Sequence, residues 1–279
     1  MQVSESLREE SIKVKLKSYV FGQRLVLLEQ AVSTNDVARD LAAEGAPEGT
    51  VVVAEEQTAG RGRLGRKWVA PPRECLLCSV LFRQDLPVPK TNWLTMLTAL
   101  AMADAIDEVA GLKVELKWPN DLIVPVPAGT TGELHWRKLG GVLTETAIMG
   151  ERLAYAIVGI GVNVTVARGR LNALAPEATS ILAEVGRSVS RVDLLVTFLA
   201  EVERRITMLQ AGSGPHQEWA TRLATIGRRV EAAGPSGLLV GLAEGVDEEG
   251  AILLRTDEGV QHRLAVGDVT LSWRGSSRY

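Results

Sequence analysis

The sequence predicts an α+β protein: a large domain of mixed strands and helices, followed by a small β-barrel. Three observations carry that expectation. The chain has 279 residues, 46% of them apolar, which is enough for a sizeable core and more than one small domain needs. Up to about residue 226, apolar runs of strand length are interleaved with long helical patterns. Beyond Ile226 the helical patterns stop, and short strand-like runs are divided by Gly234-Pro-Ser-Gly237, Asp247-Glu-Glu-Gly250 and Asp257-Glu-Gly259. The expected divisions are a tail at 1–22, a main domain at 23–226 and the barrel at 227–279.

Met1 to Tyr19 alternates charges with β-branched residues and has no long apolar run, so it does not read as a signal peptide. Residues 1–22 read as a tail or a first short element, too few for a separate DNA-binding domain. Arg24 to Glu29 is a short strand. Ser33-Thr34-Asn35-Asp36 opens a helix to about Glu44, which Gly45 stops. Thr50 to Ala54 and Cys75 to Phe82 are buried strands. Residues 90–110 form a long helix, apolar around much of its circumference (Trp93, Leu94, Met96, Leu97, Leu100, Met102, Ile106), and Gly111 ends it. Leu112 to Trp118 is a strand running into Pro119-Asn120-Asp121, and Leu122 to Val124 continues as another. Pro125 to Arg137 is turn-rich and reads as a surface loop. Lys138 to Glu145 and Leu153 to Val164 pair across a turn near Gly150. Ser190 starts an amphipathic helix with its stripe at Val192, Leu195, Val196, Leu199, Val202, Ile206 and Leu209. A further short helix runs from Pro215 to about Thr225.

The formal net charge of −3 argues against a general nucleic-acid binder. No apolar stretch is long enough to span a membrane, so a cytoplasmic enzyme is expected. Cys75 and Cys78 form a CxxC, but one pair cannot complete a structural zinc site. On a strand, residues three apart face opposite sides, so both read as core cysteines.

Gln57 to Trp68 stands out. Arg61, Arg63, Arg66 and Lys67 fall within seven residues with no acid among them, and Gly60, Gly62 and Gly65 are interspersed. Glycine lets the backbone approach a ligand, arginine offers a donor fork for carboxylate or phosphate, and Trp68 adds a flat apolar face. Such a loop suits closure over a small anion. Further candidates are Lys117 to Asp121, Lys138, and Gly159 and Gly161 before Asn163. Two glycines on one strand face suggest a ligand lying against the sheet. Singly, each has a plainer reading as an edge charge, a turn or a solvated loop. Ser33, Thr34 and Asn35 serve equally as a helix cap or as hydrogen-bonding groups for a ligand.

Gly60-Arg-Gly-Arg-Leu-Gly-Arg-Lys-Trp68 resembles the loop of the biotin protein ligases, which attach biotin to carboxylase carrier domains. Lys117-Trp-Pro-Asn-Asp121, Lys138-Leu-Gly-Gly-Val-Leu143, Gly159-Ile-Gly-Val-Asn163 and Ser33-Thr-Asn35 resemble four more motifs of that family, all in its order. Alanine usually stands where Gly140 does. The resemblance runs from about Leu25 to Leu271. It implies a class II synthetase-like catalytic domain, with a mixed β-sheet flanked by helices, and a C-terminal SH3-like barrel. About thirty residues precede Ser33, so the ligase-only type, without an operator-binding domain, is expected.

The resemblance also implies chemistry. Biotin and ATP, with Mg, would give biotinyl-5′-AMP, and a lysine of a biotin carboxyl carrier domain would then take the biotinyl group. Ser33, Thr34, Asn35 and Gln57 would hold the biotin head group. Gly60, Arg61, Gly62 and Arg63 would meet the carboxylate and phosphate. Gly141, Gly159 and Gly161 complete the expected biotin site, the last two as its floor. Lys138 and Arg63 are the expected catalytic residues. Arg61, Arg63, Trp68, Lys117, Asn120, Asp121 and Asn163 would serve the nucleotide, with Mg near Asp121 and Asn163. The rivals are a lipoate or octanoate ligase or transferase of the same catalytic fold, a biotin-sensing regulator, and an RNA-binding module using the Arg-Gly stretch. No DNA or membrane binding is expected, and the chain reads as either a monomer or a homodimer.

Overall fold

In the computed structural model, which describes residues 7–128, 133–234 and 237–271, the main domain is built on one seven-stranded sheet. The chain runs α1 (Glu9–Lys15), β1 (Leu25–Leu28), α2 (Thr34–Ala43), β2 (Val51–Ala54), β3 (Cys75–Phe82), α3 (Trp93–Ala110), β4 (Glu115–Lys117), β5 (Asp121–Ala128), β6 (Glu133–Met149) and β7 (Arg152–Asn163). Then come α4 (Arg168–Leu174), α5 (Ile181–Val185), α6 (Arg191–Gln210) and α7 (His216–Thr221). Strand order is β1-β2-β3-β7-β6-β5-β4. Only β1 and β2 pair in parallel, so the sheet is mixed.

The two faces are separate. Every residue of β3 is buried, because helices cover both sides of this central strand. Its Leu76, Cys78, Val80 and Phe82 face the main core under α3 and α6. Leu81 faces a smaller core with Ala38 and Ala42 of α2, and Cys75 and Leu77 pack with Val166 and Leu171. Burial pushes both thiols up to about 12, the state of inert core cysteines. α3 carries no polar face towards solvent over most of its length, and Gly111 closes it in the left-handed conformation at φ 70°. No helix among the described residues is long and apolar enough to cross a membrane.

Four expectations need correction. Residues 7–22 are not a tail. Leu7, Ile12 and Phe21 are in the main core, and the N–H groups of Tyr19, Val20 and Phe21 converge on the Glu203 carboxylate of α6. Pro125 to Arg137 is not a loop, since β5 and β6 continue as a hairpin past the end of β4, with residues 129–132 outside the described set. There β5 has a neighbour on one side only, which is where a strand tolerates Pro125 and Pro127. Of the strand expected from Leu112, only Glu115–Lys117 is extended. Short helices α4 and α5 fill a stretch with no expected element.

The C-terminal unit is a five-stranded antiparallel sheet, β8 (Arg229–Gly234), β9 (Gly237–Val246), β10 (Ile252–Arg255), β11 (Gln261–Leu264) and β12 (Asp268–Leu271), in the order β11-β10-β9-β8-β12. It is fastened to the main domain by two indole donors. Trp93 Nε1 donates to Glu248 O at 2.6 Å and Trp118 Nε1 to Gly250 O at 2.8 Å.

Candidate active site

Strand parity brings the site together. Ser79 of β3, Gly159 and Gly161 of β7, and Gly141, Leu143 and Glu145 of β6 alternate on one side of the sheet, the side that α2 covers. Lys138 is three residues before Gly141 and would face the other way on a regular strand. The β5–β6 register jumps here: Leu122 opposes Gly140 and Ile123 opposes Lys138, leaving Leu139 as the extra residue of a bulge. Leu139 is buried in the main core, and Lys138 is returned to the site side.

One end of the cavity is neutral and polar. Ser33 is the N-cap residue of α2, yet its side chain makes no capping hydrogen bond. Gln57 takes that place instead, its Oε1 accepting from Thr34 N at 2.8 Å and from Thr34 Oγ1 at 3.0 Å. Asn35 Nδ2 donates to Glu145 Oε2 at 2.7 Å and to Leu143 O at 3.3 Å. Ser79 Oγ lies 2.6 Å from Asn35 Oδ1 and 2.7 Å from Thr34 Oγ1, so its single proton serves one of them. A Cβ on residue 159 would fall 2.2 Å from Asn35 Oδ1, and one on residue 161 would fall 2.7 Å from Trp68 Cε2. Both glycines are needed because side chains lie directly on the strand.

The other end is charged. Residues 60–68 fold back as a tight turn, with Trp68 N donating to Gly60 O at 2.9 Å and Gly62 N to Arg66 O at 2.7 Å. At its tip Leu64 has φ 55°, a strained value for a non-glycine residue. Arg63 points inward. Burial, the largest influence, pulls its guanidinium below the ordinary value, with Asp268 and Asp121 pulling the other way. Arg66 pairs with Asp268 at 2.5 Å, and Arg63 Nη2 reaches Gly267 O at 3.4 Å, so the C-terminal unit supplies part of the wall. Lys138 Nζ is 2.6 Å from Asp121 Oδ1 and 5.8 Å from the centre of the Trp68 ring. The Trp68 Nε1 hydrogen is buried without a partner.

Most of the residues expected from sequence line this cavity: Ser33, Thr34, Asn35, Gln57, Arg61, Gly62, Arg63, Trp68, Asn120, Asp121, Lys138, Gly141, Gly159 and Gly161. Three do not. Gly60 lies at the loop root, under the Trp68 carbonyl. Lys117 ends β4 opposite Asp121, outside the lining. Asn163 is buried, its Nδ2 bonded to Thr179 O at 2.9 Å and its Oδ1 accepting from Cys75 Sγ at 3.5 Å. Asn120 lines the cavity but also braces β6, exchanging hydrogen bonds with both backbone groups of Val142. Arg61 is turned to two carboxylates, Asp36 and Glu145.

Sequence reasoning missed Ser79, Glu145, Asp36 and Asp268. Ser79 was findable as the one hydroxyl in an otherwise apolar strand, and Glu145 by counting in twos from Gly141. Asp268 comes from the other unit, and nothing local points to it.

The chain that builds this site is similar to known proteins over most of its length. The Biotin/lipoate A/B protein ligase family model matches residues 27–163, and the Biotin protein ligase C terminal domain model matches residues 225–272. The chain is 35% identical over 268 residues to the Bifunctional ligase/repressor BirA of Bacillus subtilis, covering 95% of this chain and 79% of that one. It is 34% identical over 256 residues to a Biotin--[acetyl-CoA-carboxylase] ligase of Mycobacterium tuberculosis, covering 89% and 90%. Among solved structures, the biotin protein ligase from Aquifex aeolicus in complex with biotin and ATP superposes with a TM-score of 0.69 at 26% identity, over 90% of this chain and 99% of that one. The chain belongs to the biotin protein ligase family.

Proposed function

We propose that this protein joins biotin to a lysine of a biotin carboxyl carrier domain, using ATP, through biotinyl-5′-AMP. A biotin carboxylate oxygen attacks the α-phosphorus, the bond to the bridging oxygen breaks, and pyrophosphate leaves. The acceptor amine then attacks the acyl carbon of the adenylate, the bond to the phosphate oxygen breaks, AMP leaves and the amine loses a proton. The observation that carries this reading is the two-ended cavity. Uncharged hydrogen-bonding groups at Thr34, Asn35, Gln57 and Ser33 suit an uncharged ureido ring. Arg63 and Lys138 at the far end suit two anions that must be brought together.

In this reading Lys138 and Arg63 neutralise the carboxylate and α-phosphate, and Trp68 covers the adenine. Gly62 brings backbone N–H groups to the anions, Gly159 lets Asn35 approach β7, and Gly141 and Gly161 leave floor for the ligand once Trp68 moves away. Asp121 orients the Lys138 ammonium by its ion pair. Asn120 fixes the β5–β6 junction, and Asn163 and Lys117 act from outside the cavity through the strands that carry them. ATP reacts as its magnesium complex. No cluster of three acidic, histidine or cysteine ligands occurs among the described residues. Asp121 is paired with Lys138, and Asn163 is committed elsewhere. These residues do not fit a protein-held ion; magnesium would come with the nucleotide and offset the charge of its phosphates.

Residues 23–226, with 7–22 packed into the same core, serve as the catalytic unit, and the C-terminal unit, described over 227–234 and 237–271, completes the pocket wall through Gly267 and Asp268. The requirement for ATP and a carboxylase acceptor points to the cytoplasm as the place of work. Lipoate, which the matched family model also covers, is disfavoured because a dithiolane ring brings no hydrogen-bonding group of its own to the polar end lined by Ser33, Thr34, Asn35 and Gln57. The test is isotope exchange between pyrophosphate and ATP. Exchange that depends on biotin supports the reading, and exchange with lipoate alone contradicts it.

The loop moves in this account. Trp68 lies directly on the strand at Gly161, its Cε2 2.7 Å from where a Cβ would stand, so a ligand that rests on this part of the sheet needs the turn to lift and Trp68 to move off it.

A further inference from the structure

Arg61 opens the cationic run, and the resemblance gave it a role against the ligand's carboxylate or phosphate. Its guanidinium is already spent. Nη1 donates to Asp36 Oδ1 at 2.8 Å and Oδ2 at 3.0 Å, and Nη2 donates to Glu145 Oε1 and Oε2, both at 3.0 Å. Forking a phosphate would mean abandoning two carboxylates. Glu145 Oε2 also accepts from Asn35 Nδ2 at 2.7 Å, and Asn35 Oδ1 lies 2.6 Å from Ser79 Oγ. One hydrogen-bonded chain thus runs from the polar end of the cavity, through Glu145, to the first residue of the turn.

We propose that Glu145, with Asp36, is a positioning residue: it anchors Arg61 as the root of the 61–67 turn and so couples the filling of the polar end to closure of the turn. Arg61 is a strut, and Arg63 meets the anions. The coupling rests on the biotin ligase reading, whereas the strut does not, because it is present without ligand. The strained Leu64 tip needs such a root, since nothing in its own conformation favours the closed turn.

The strut is tested on the ligand-free protein by the rate of tryptic cleavage after Arg63, Arg66 and Lys67. Glu145→Gln keeps an acceptor for Asn35 and loses the charge that holds Arg61. It should speed cleavage about tenfold, as should Arg61→Ala, and the double variant should be no faster than either single one. Asp36→Asn is a second arm with the same expectation. Cleavage within about twofold of wild type in both single carboxylate variants, or effects that multiply in the double variant, overturns the strut. The coupling is read from release of biotinyl-AMP made in place without acceptor. Release should rise about tenfold in Glu145→Gln and in Asp36→Asn, and in Asp36→Asn, whose side chain is outside the cavity lining, the rate of adenylate formation at saturating substrates should change much less. Equal losses in formation rate, retention and thermal midpoint would mean a merely structural role and overturn it. Absence of any biotin-dependent adenylate in the wild-type protein overturns the ligase reading and the coupling, and leaves the strut to be judged by proteolysis alone.

Discussion

Leu139 decides where Lys138 points. As the extra residue of the bulge it takes the core position and leaves Lys138 and Gly141 on the same side of the sheet. If Lys138 and Arg63 stabilise the charge that develops at the α-phosphate, Lys138→Ala and Arg63→Ala each lose on the order of a hundredfold or more in adenylate formation. Biotin-dependent pyrophosphate release measures it, and near-normal release in either variant removes that assignment. Gly159→Ala tests the opposite end. The added methyl would sit 2.2 Å from Asn35 Oδ1 and must displace it from Ser79. Biotin affinity, read by titration calorimetry, should fall about tenfold or more through the lost hydrogen bond, while ATP affinity stays near normal. The residues legible in the sequence were those whose type is unusual for their place: cations among glycines, glycines within a strand. Asn163 shows the limit. Its type and parity are right for a ligand contact, but a neighbouring carbonyl and a thiol already occupy it, and no sequence pattern reports who sits beside a side chain.

Helices α3, α6 and α7 are held by an ion network that has no part in the site. Arg205 is buried on α6 and donates to Asp104 of α3 and to both oxygens of Glu218 on α7, at 2.8 and 2.9 Å. Arg222 donates to Asp104 at 2.6 Å and to Glu218 at 3.0 Å. For Asp104 burial is the largest influence and raises the pKa, but the hydrogen bonds from Arg205 and Arg222 outweigh it and hold it below 3.8. For Glu218 the Arg205 bond comes first and holds it below 4.5. Native values below the unfolded ones mean that the stabilisation is present above those ordinary values and is lost as pH falls through the native ones. Urea unfolding between about pH 5 and pH 3 should therefore show a steeper loss for wild type than for Arg205→Met. At neutral pH the variant should be about 2 kcal/mol less stable, below the full cost of breaking a buried pair because both acids keep some water. Parallel acid limbs would contradict the assignment. α6 was legible from its stripe, α3 from its long apolar run closed by Gly111, and β2, β3 and β7 from their shorter apolar runs. The β5–β6 hairpin was hidden because Pro125, Pro127 and polar residues look like a loop until one sees that the strand has a free edge. α4 and α5, of seven and five residues, are too short to carry a periodic signal.

At the scale of the molecule, the C-terminal sheet is a wall of the candidate site. Asp268 holds Arg66 of the turn, and the Gly267 carbonyl faces Arg63. The two units are tied by indole donors from Trp93 and Trp118 to carbonyls of the Glu248–Gly250 turn. Trp118→Phe removes the indole donor from the Gly250 carbonyl and leaves a fully buried site under-filled, and should lower stability by at least about 1–3 kcal/mol in urea melts. A cost within error of zero would mean that the indole bond does not fasten the units. Both units are legible in the sequence, but the part the second plays in the site is not, because contacts across more than two hundred residues leave no local trace.

The central claim is that this cavity makes and transfers a biotinyl group. One measurement tests it most directly: the purified protein is given ATP, magnesium, a carboxyl carrier domain and either biotin or lipoate, and the carrier is analysed by mass spectrometry. Biotin should appear on a single carrier lysine, in a reaction that depends on ATP and is abolished by Lys138→Ala. Lipoyl transfer under the same conditions, or biotin transfer undiminished in Lys138→Ala, would contradict the claim.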